Sequence, residues 1–111
     1  MRELLTAEEL GNRLIDYWDD FASFSDETYG APDVVGPEGA LRHMKEEADE
    51  AIEHPKDLIE YADCFMLILD ATRRAGYTLD QLLSAAETKL AICGKREWLP
   101  PDENGIVRHK K

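Results

Sequence analysis

The chain has 111 residues, 24 of them acidic against 13 basic, for a formal net charge of −11 at neutral pH. That balance excludes a nucleic-acid partner bound through its phosphate backbone, which requires basic patches, and no apolar run approaches the roughly eighteen residues of a membrane span. Cys64 and Cys93 have neither zinc nor disulfide-framework spacing, and there is no basic-then-apolar leader.

These features predict a single reduced, cytoplasmic domain over residues 1–111, with no membrane partner. A chain of this size buries only about two thirds of its unfolded surface, so self-association would help it. After a short extension over residues 1–5, Thr6-Ala7-Glu8-Glu9 forms a capping-box pattern at the start of a first helix. Leu10, Leu14, Tyr17, Trp18 and Phe21 then recur at helical spacing through about Phe24. Such an aromatic stripe serves a core or a subunit contact by default; its alternative use is a wall for a nucleobase. Residues 25–37, rich in Gly, Pro and Asp and without periodicity, read as a loop. Its length is near that at which loops become binding segments, and Tyr29-Gly30 stands where a base or sugar would approach. Pro37 suits the first turn of a second helix.

The stretch Leu41 to Leu69 reads as two helices folded back at His54-Pro55, because proline cannot continue a helix and displaces its predecessor from helical backbone. Asp57 with Glu60 gives a second capping-box pattern. Glu47 with Glu50, and Glu60 with Asp63, are carboxylate pairs at helical spacing. Position 55 is the midpoint of both Glu50/Glu60 and Glu47/Asp63, so an antiparallel hairpin sets the four level in two rungs. Helix axes pack about 8 to 10 Å apart, within reach of a shared ion. Such a cluster repels itself where water is partly excluded, and a hard divalent cation, Mg²⁺ above all, relieves it.

A plainer reading stands beside this one. Lys56, Glu60, Asp63, Asp70 and Arg74 fall along one stripe, which a solvated helix face explains equally well. Leu58 to Leu69 is otherwise apolar nearly all round, the pattern of a largely buried helix. His43 precedes Glu50 on nearly the same face and reads as a hydrogen-bonded or surface residue, outside the ligand set. The third helix is expected from Asp57 to Ala75, ending at Gly76, with Arg73 and Arg74 placed to favour its negative end. A fourth helix begins at Thr78, and Lys89 and Arg96, seven residues apart, share one of its faces; they suit a phosphate clamp, and equally they fit the basic residues commonplace near a helix C-terminus. Residues 99–111 read as an irregular tail with a turn at Asp102-Glu103-Asn104-Gly105. No Glu-x-x-His of a di-iron bundle, nucleophile triad or P-loop is found.

The strings KEEADEAIE and DLIEYADCF resemble the EExxE and ExxD signature of the MazG-like all-α NTP pyrophosphohydrolases. Thr28-Tyr29-Gly30, Gly36 to Gly39, Leu41-Arg42-His43 and the later KLAICGKREW are similar to the branch of dATP/dGTP diphosphohydrolases frequent in phages and prophages, which includes the MazZ enzymes. The likeness spans roughly positions 24 to 98. Two departures are visible: a short interval between Glu50 and Glu60, and Cys93 where relatives commonly carry Asn in the closing helix.

The resemblance implies a MazG-like bundle of four main helices, assembled as a homodimer or tetramer, in the host cytoplasm if phage-encoded. It implies conversion of a purine nucleoside triphosphate, dGTP or dATP first, to the monophosphate and pyrophosphate. Glu47, Glu50, Glu60 and Asp63 would hold two or three Mg²⁺ ions, with Mn²⁺ as a substitute. Glu46, Glu47 and Glu50 would be catalytic, Glu46 orienting the attacking water. Lys89 and Arg96 would steady phosphates, and Trp18, Phe21, Phe24 or Tyr29 would meet the base. The alternative is an acidic helical binding module without turnover, an inhibitor or DNA mimic.

Overall fold

The computed structural model describes residues 4–111; of the N-terminal extension, residues 1–3 lie outside the described part. Four helices follow in order: α1 Ala7–Tyr29, α2 Glu38–Glu53, α3 Leu58–Arg74 and α4 Leu79–Gly94. Among the described residues the only β feature is an isolated antiparallel bridge between Trp98 and His109. The chain divides into two compact units, Met1–Leu79 and Asp80–Lys111, taken separately below.

In the first unit, Thr6 Oγ1 accepts from Glu9 N–H at 3.1 Å and Thr6 N–H donates to Glu9 Oε1 at 3.2 Å. The expected capping box is therefore present, and two otherwise orphaned N–H groups are satisfied. The helix does not end near Phe24 as expected, however. It continues through Tyr29, so that only residues 30–37 remain of the loop assigned to 25–37. The cause is tertiary. Ser25 is fully buried, and its Oγ donates to Asp70 Oδ2 at 2.7 Å. Asp26 is held by the Arg73 guanidinium at 2.8 Å. Long-range contacts of this kind override weak local propensity. Gly30 ends the helix at φ 106°, with its N–H on Asp26 O at 3.1 Å.

The fold-back at His54-Pro55 is found where the sequence places it. His54 N–H donates to Glu50 O at 3.0 Å, closing α2, and Asp57 Oδ1 accepts from Ile59 N–H at 3.1 Å, opening α3. Glu60 does not complete a capping box, because the Asp57 N–H is already taken by His54 O at 3.0 Å. At its far end α3 closes with a Schellman pattern: Gly76 N–H on Arg73 O, Tyr77 N–H on Thr72 O, and Gly76 at φ 96°. Glycine is the residue that adopts this conformation without a Cβ clash.

The central element is α3, which packs against both α1 and α2. Its C-terminal half carries Leu67, Leu69, Asp70, Ala71 and Arg74, all buried. The N-terminal half departs from the expectation of a helix buried all round. Leu58 is 79% and Phe65 46% exposed, and Ile59 and Tyr61 are also open. Two neighbouring helices leave part of the circumference of α3 uncovered in a single chain.

In the second unit, α4 has no buried residue and stops at Gly94. The segment after it is more ordered than an irregular tail. Asp102 Oδ1 accepts from Asn104 and Ile106 N–H, Gly105 N–H donates to Asp102 O, and Leu99 N–H reaches Arg108 O at 2.9 Å. The turn expected at 102–105 thus folds residues 97–110 back on themselves.

Candidate active site

Two helices that face each other bring their carboxylates together. Glu47 on α2 and Glu60 and Asp63 on α3 are half-buried, and each offers an oxygen such that all three atoms lie within 4.8 Å of one another. Glu60 and Asp63 share a face because they are three residues apart on one helix. Glu50 sits one turn beyond Glu47 in the last turn of α2, exposed, with its ligand atoms grouped with those of Glu53 and His54. Glu46 is exposed beside Glu47.

Electrostatics mark the set as a concentration of like charge. Partial burial, together with the negative charges of Asp57, Glu50, Asp63 and Glu47, pushes the Glu60 carboxyl above its ordinary range. Burial and then Asp63 push the Tyr17 phenol up as well, which places Tyr17 of α1 at the edge of the same field. Among the described residues neither Glu60 nor Asp63 pairs with a lysine or arginine. A set of oxygen ligands left without a protein cation suits a hard divalent ion. Among the described residues the Glu47 side chain has one hydrogen-bond partner, the His43 imidazole, whose Nε2–H donates to Oε1 at 3.0 Å.

Beside the carboxylates lies a pocket of about 270 Å³, walled by Phe21 and Tyr29 of α1, Val35 and Gly36 of the loop, Ala40 and His43 of α2, and Met66 and Arg74 of α3. Of the four residues expected to meet a base, Phe21 and Tyr29 line this pocket. Trp18 lines a narrow crevice with Tyr17, Phe21 and Arg73. Phe24 is half-exposed and stands between the other two rings, 5.8 Å from Phe21 and 6.0 Å edge-on from Tyr29. Lys89 and Arg96 do not share a helix face as expected. The helix ends at Gly94 and Arg96 lies in the turn after it, its N–H on Cys93 O at 3.3 Å.

The residues that sequence reasoning missed are those holding the pocket's shape. Arg74, read as a helix-end charge, is buried and donates to Asp70 Oδ2, Gly30 O, Val35 O, Ser25 O and Ser25 Oγ at 2.7 to 3.3 Å. It therefore ties the end of α1 and both ends of the loop to α3. The available signal was Asp70 and Arg74 four residues apart in an apolar helix, a pair that burial makes obligatory.

The architecture is that of the all-α MazG-like fold. The structure of the cyanophage S-2L MazG-like pyrophosphohydrolase superposes with a TM-score of 0.70 at 27% sequence identity, covering 87% of this chain and 96% of that one. That protein is bound to dGDP and three catalytic Mn²⁺ ions per active site. The chain belongs to the dATP/dGTP pyrophosphohydrolase family, whose model matches residues 17–111. It is also 39% identical over 90 residues to the Eaa protein of Salmonella phage P22. The match takes in 81% of this chain but only 27% of that protein, so the chain spans about a quarter of its relative's length.

Proposed function

We propose that the chain is a divalent-metal-dependent pyrophosphohydrolase that converts a purine deoxynucleoside triphosphate, dGTP or dATP, to the monophosphate and pyrophosphate. The observation that carries this reading is the convergence of Glu47, Glu60 and Asp63 within 4.8 Å, with no lysine or arginine among the described residues paired to Glu60 or Asp63, next to a pocket with aromatic walls. Family membership and the ligands of the cyanophage protein support it.

Glu47, Glu60 and Asp63 would hold the cations, Mg²⁺ or Mn²⁺, with Glu50 joining from the end of α2. When bound, such ions neutralise phosphate oxygens and lower the pKa of a water. Glu46 orients the water that attacks the α-phosphorus, and pyrophosphate leaves. Phe21 and Tyr29 receive the base at an aromatic wall suited to a planar ring, with Phe24 against both of them and Trp18 beside Phe21. Lys89 and Arg96 remain proposed phosphate contacts on the strength of their charge alone, since the shared helix face expected of them is absent. Exposed Leu58, Ile59, Tyr61 and Phe65 on α3 support a homo-oligomer, since contiguous apolar surface on a small protein marks an interaction face. The proposed setting is the cytoplasm, of the host cell if a phage supplies the gene. Among the described residues no helix is long and apolar enough to cross a membrane.

The test is a panel of ribo- and deoxynucleoside triphosphates incubated with Mg²⁺ or Mn²⁺ and analysed for products. Monophosphate and pyrophosphate from dGTP or dATP are expected. Diphosphate with orthophosphate, or turnover independent of metal, overturns the reading.

A further inference from the structure

His43 stands between two parts of the proposed site. Its Nε2 lies 3.0 Å from Glu47 Oε1, and its ring lines the pocket beside Phe21, Tyr29 and Met66. A carboxylate only accepts, so Nε2 carries the proton and donates it. The two residues are one helical turn apart on α2, so the backbone fixes both ends of the contact. Among the described residues this is the only hydrogen bond that Glu47 makes through its side chain, whereas Glu60 and Asp63 approach it as like charges. Repulsion alone would turn the Glu47 carboxylate away from α3. The imidazole N–H restrains that rotation.

We infer that His43 is a positioning residue that sets the Glu47 carboxylate for cation binding and, through the same bond, fixes one wall of the neighbouring pocket. The inference rests on the metal reading above. Hydrogen-bond partners of metal ligands govern affinity even though they do not touch the ion, and their removal typically weakens binding by about 10- to 100-fold. His43 has a side chain 54% exposed, so its replacement leaves the hydrophobic core intact.

The experiment is calorimetric titration of the full chain with Mn²⁺ alone, without nucleotide, on the wild type, His43→Ala, His43→Phe, His43→Gln and Glu47→Gln, with metal-free thermal unfolding measured in parallel. His43→Ala and His43→Phe are expected to bind Mn²⁺ at least about ten-fold more weakly with an unchanged metal-free unfolding temperature. His43→Phe restores bulk in the pocket but not the donor. His43→Gln places an amide N–H near the position of Nε2 and is expected to recover most of the affinity. Wild-type Mn²⁺ affinity in His43→Ala overturns the inference, as does equal weakness of the Gln and Ala variants. Glu47→Gln separates the two levels. If it binds Mn²⁺ like the wild type, the metal reading itself fails; if it is weakened while His43→Ala is not, only the role of His43 fails.

Discussion

Arg74 Nε donates to Asp70 Oδ2 over 3.0 Å inside the protein, with side chains 2% and 5% exposed. The pair is a junction rather than an isolated ion pair. Ser25 Oγ reaches the same carboxylate oxygen, and the remaining guanidinium nitrogens satisfy carbonyls of Ser25, Gly30 and Val35. Removing Asp70 takes from the buried Arg74 its 3.0 Å partner, and breaking a buried pair in this way costs about 3 to 5 kcal/mol, whereas removing Arg74 leaves Asp70 still paired with Arg73 at 2.9 Å. Asp70→Asn should lose that much in urea unfolding at neutral pH, a large share of the roughly 5 to 15 kcal/mol available to a small domain, and Arg74→Met should lose less. A loss below about 1 kcal/mol would show that the junction is not a main support of the fold.

The same carboxylate predicts a pH dependence. Burial alone would raise Asp70, but hydrogen bonds from Ser25, Arg73 and Arg74 and the charge of Arg74 outweigh it and hold the group below its ordinary value. A group depressed in the folded state contributes stability that is full above its unfolded pKa, about 3.9 for Asp, and is lost as pH falls through the folded pKa. Unfolding free energy should therefore fall on acidification below about pH 4, and Asp70→Asn should flatten the slope. Glu9 and Asp102, also held low by hydrogen bonds, leave a residual slope. An unchanged slope in the variant would contradict the assignment.

Gly30 offers a backbone test. It ends α1 at φ 106°, and a Cβ added there would meet Val35 Cγ2 at 3.1 Å. Backbone at positive φ with ψ 154° is essentially confined to glycine and costs an L-residue about 1 to 3 kcal/mol, so Gly30→Ala should destabilise by at least about 1 kcal/mol. Because Tyr29 and Val35 both wall the pocket, the variant should also raise KM more than it lowers kcat. Stability equal to wild type would show that this helix end does not depend on glycine.

Several of these features were legible in local sequence signals, and others were not. The Thr6–Glu9 box, the Asp57 cap, the Gly76 terminus and the reversal at His54-Pro55 depend on residues a few positions apart, so each could be read from spacing alone. The convergence of Glu47, Glu60 and Asp63 followed from the same reversal. What escaped was fixed by partners far away in the chain. Ser25 to Tyr29 is polar and looked like a loop, yet Asp70 and Arg74, 45 and 49 residues on, hold its start in helical form. Arg74 looked like a response to the helix dipole because four of its five acceptors, on Ser25, Gly30 and Val35, are helix-end and loop groups with no sequence signature. Periodicity likewise could not show that α1 and α2 leave Leu58, Ile59, Tyr61 and Phe65 uncovered, or that the closing helix stops before Arg96.

Glu50 is exposed and lies with Glu53 and His54 rather than inside the central trio, yet its charge is felt at Glu60. Glu50→Gln should keep the fold and lower metal-dependent turnover by about 10- to 100-fold, the usual effect of disturbing a metal environment. Glu53→Gln, on the same exposed turn, should change it little. Full activity in Glu50→Gln would remove that residue from the proposed site.

In the proposed reaction, cations held by the facing carboxylates of α2 and α3 would activate water for attack on the α-phosphorus. The direct measurement is hydrolysis of dGTP in ¹⁸O-labelled water with Mn²⁺, followed by mass spectrometry of both products, for the wild type and Asp63→Asn. Label in dGMP, unlabelled pyrophosphate and loss of this reaction in the variant are expected. Label in pyrophosphate or orthophosphate, or undiminished labelling of dGMP by Asp63→Asn, would contradict it.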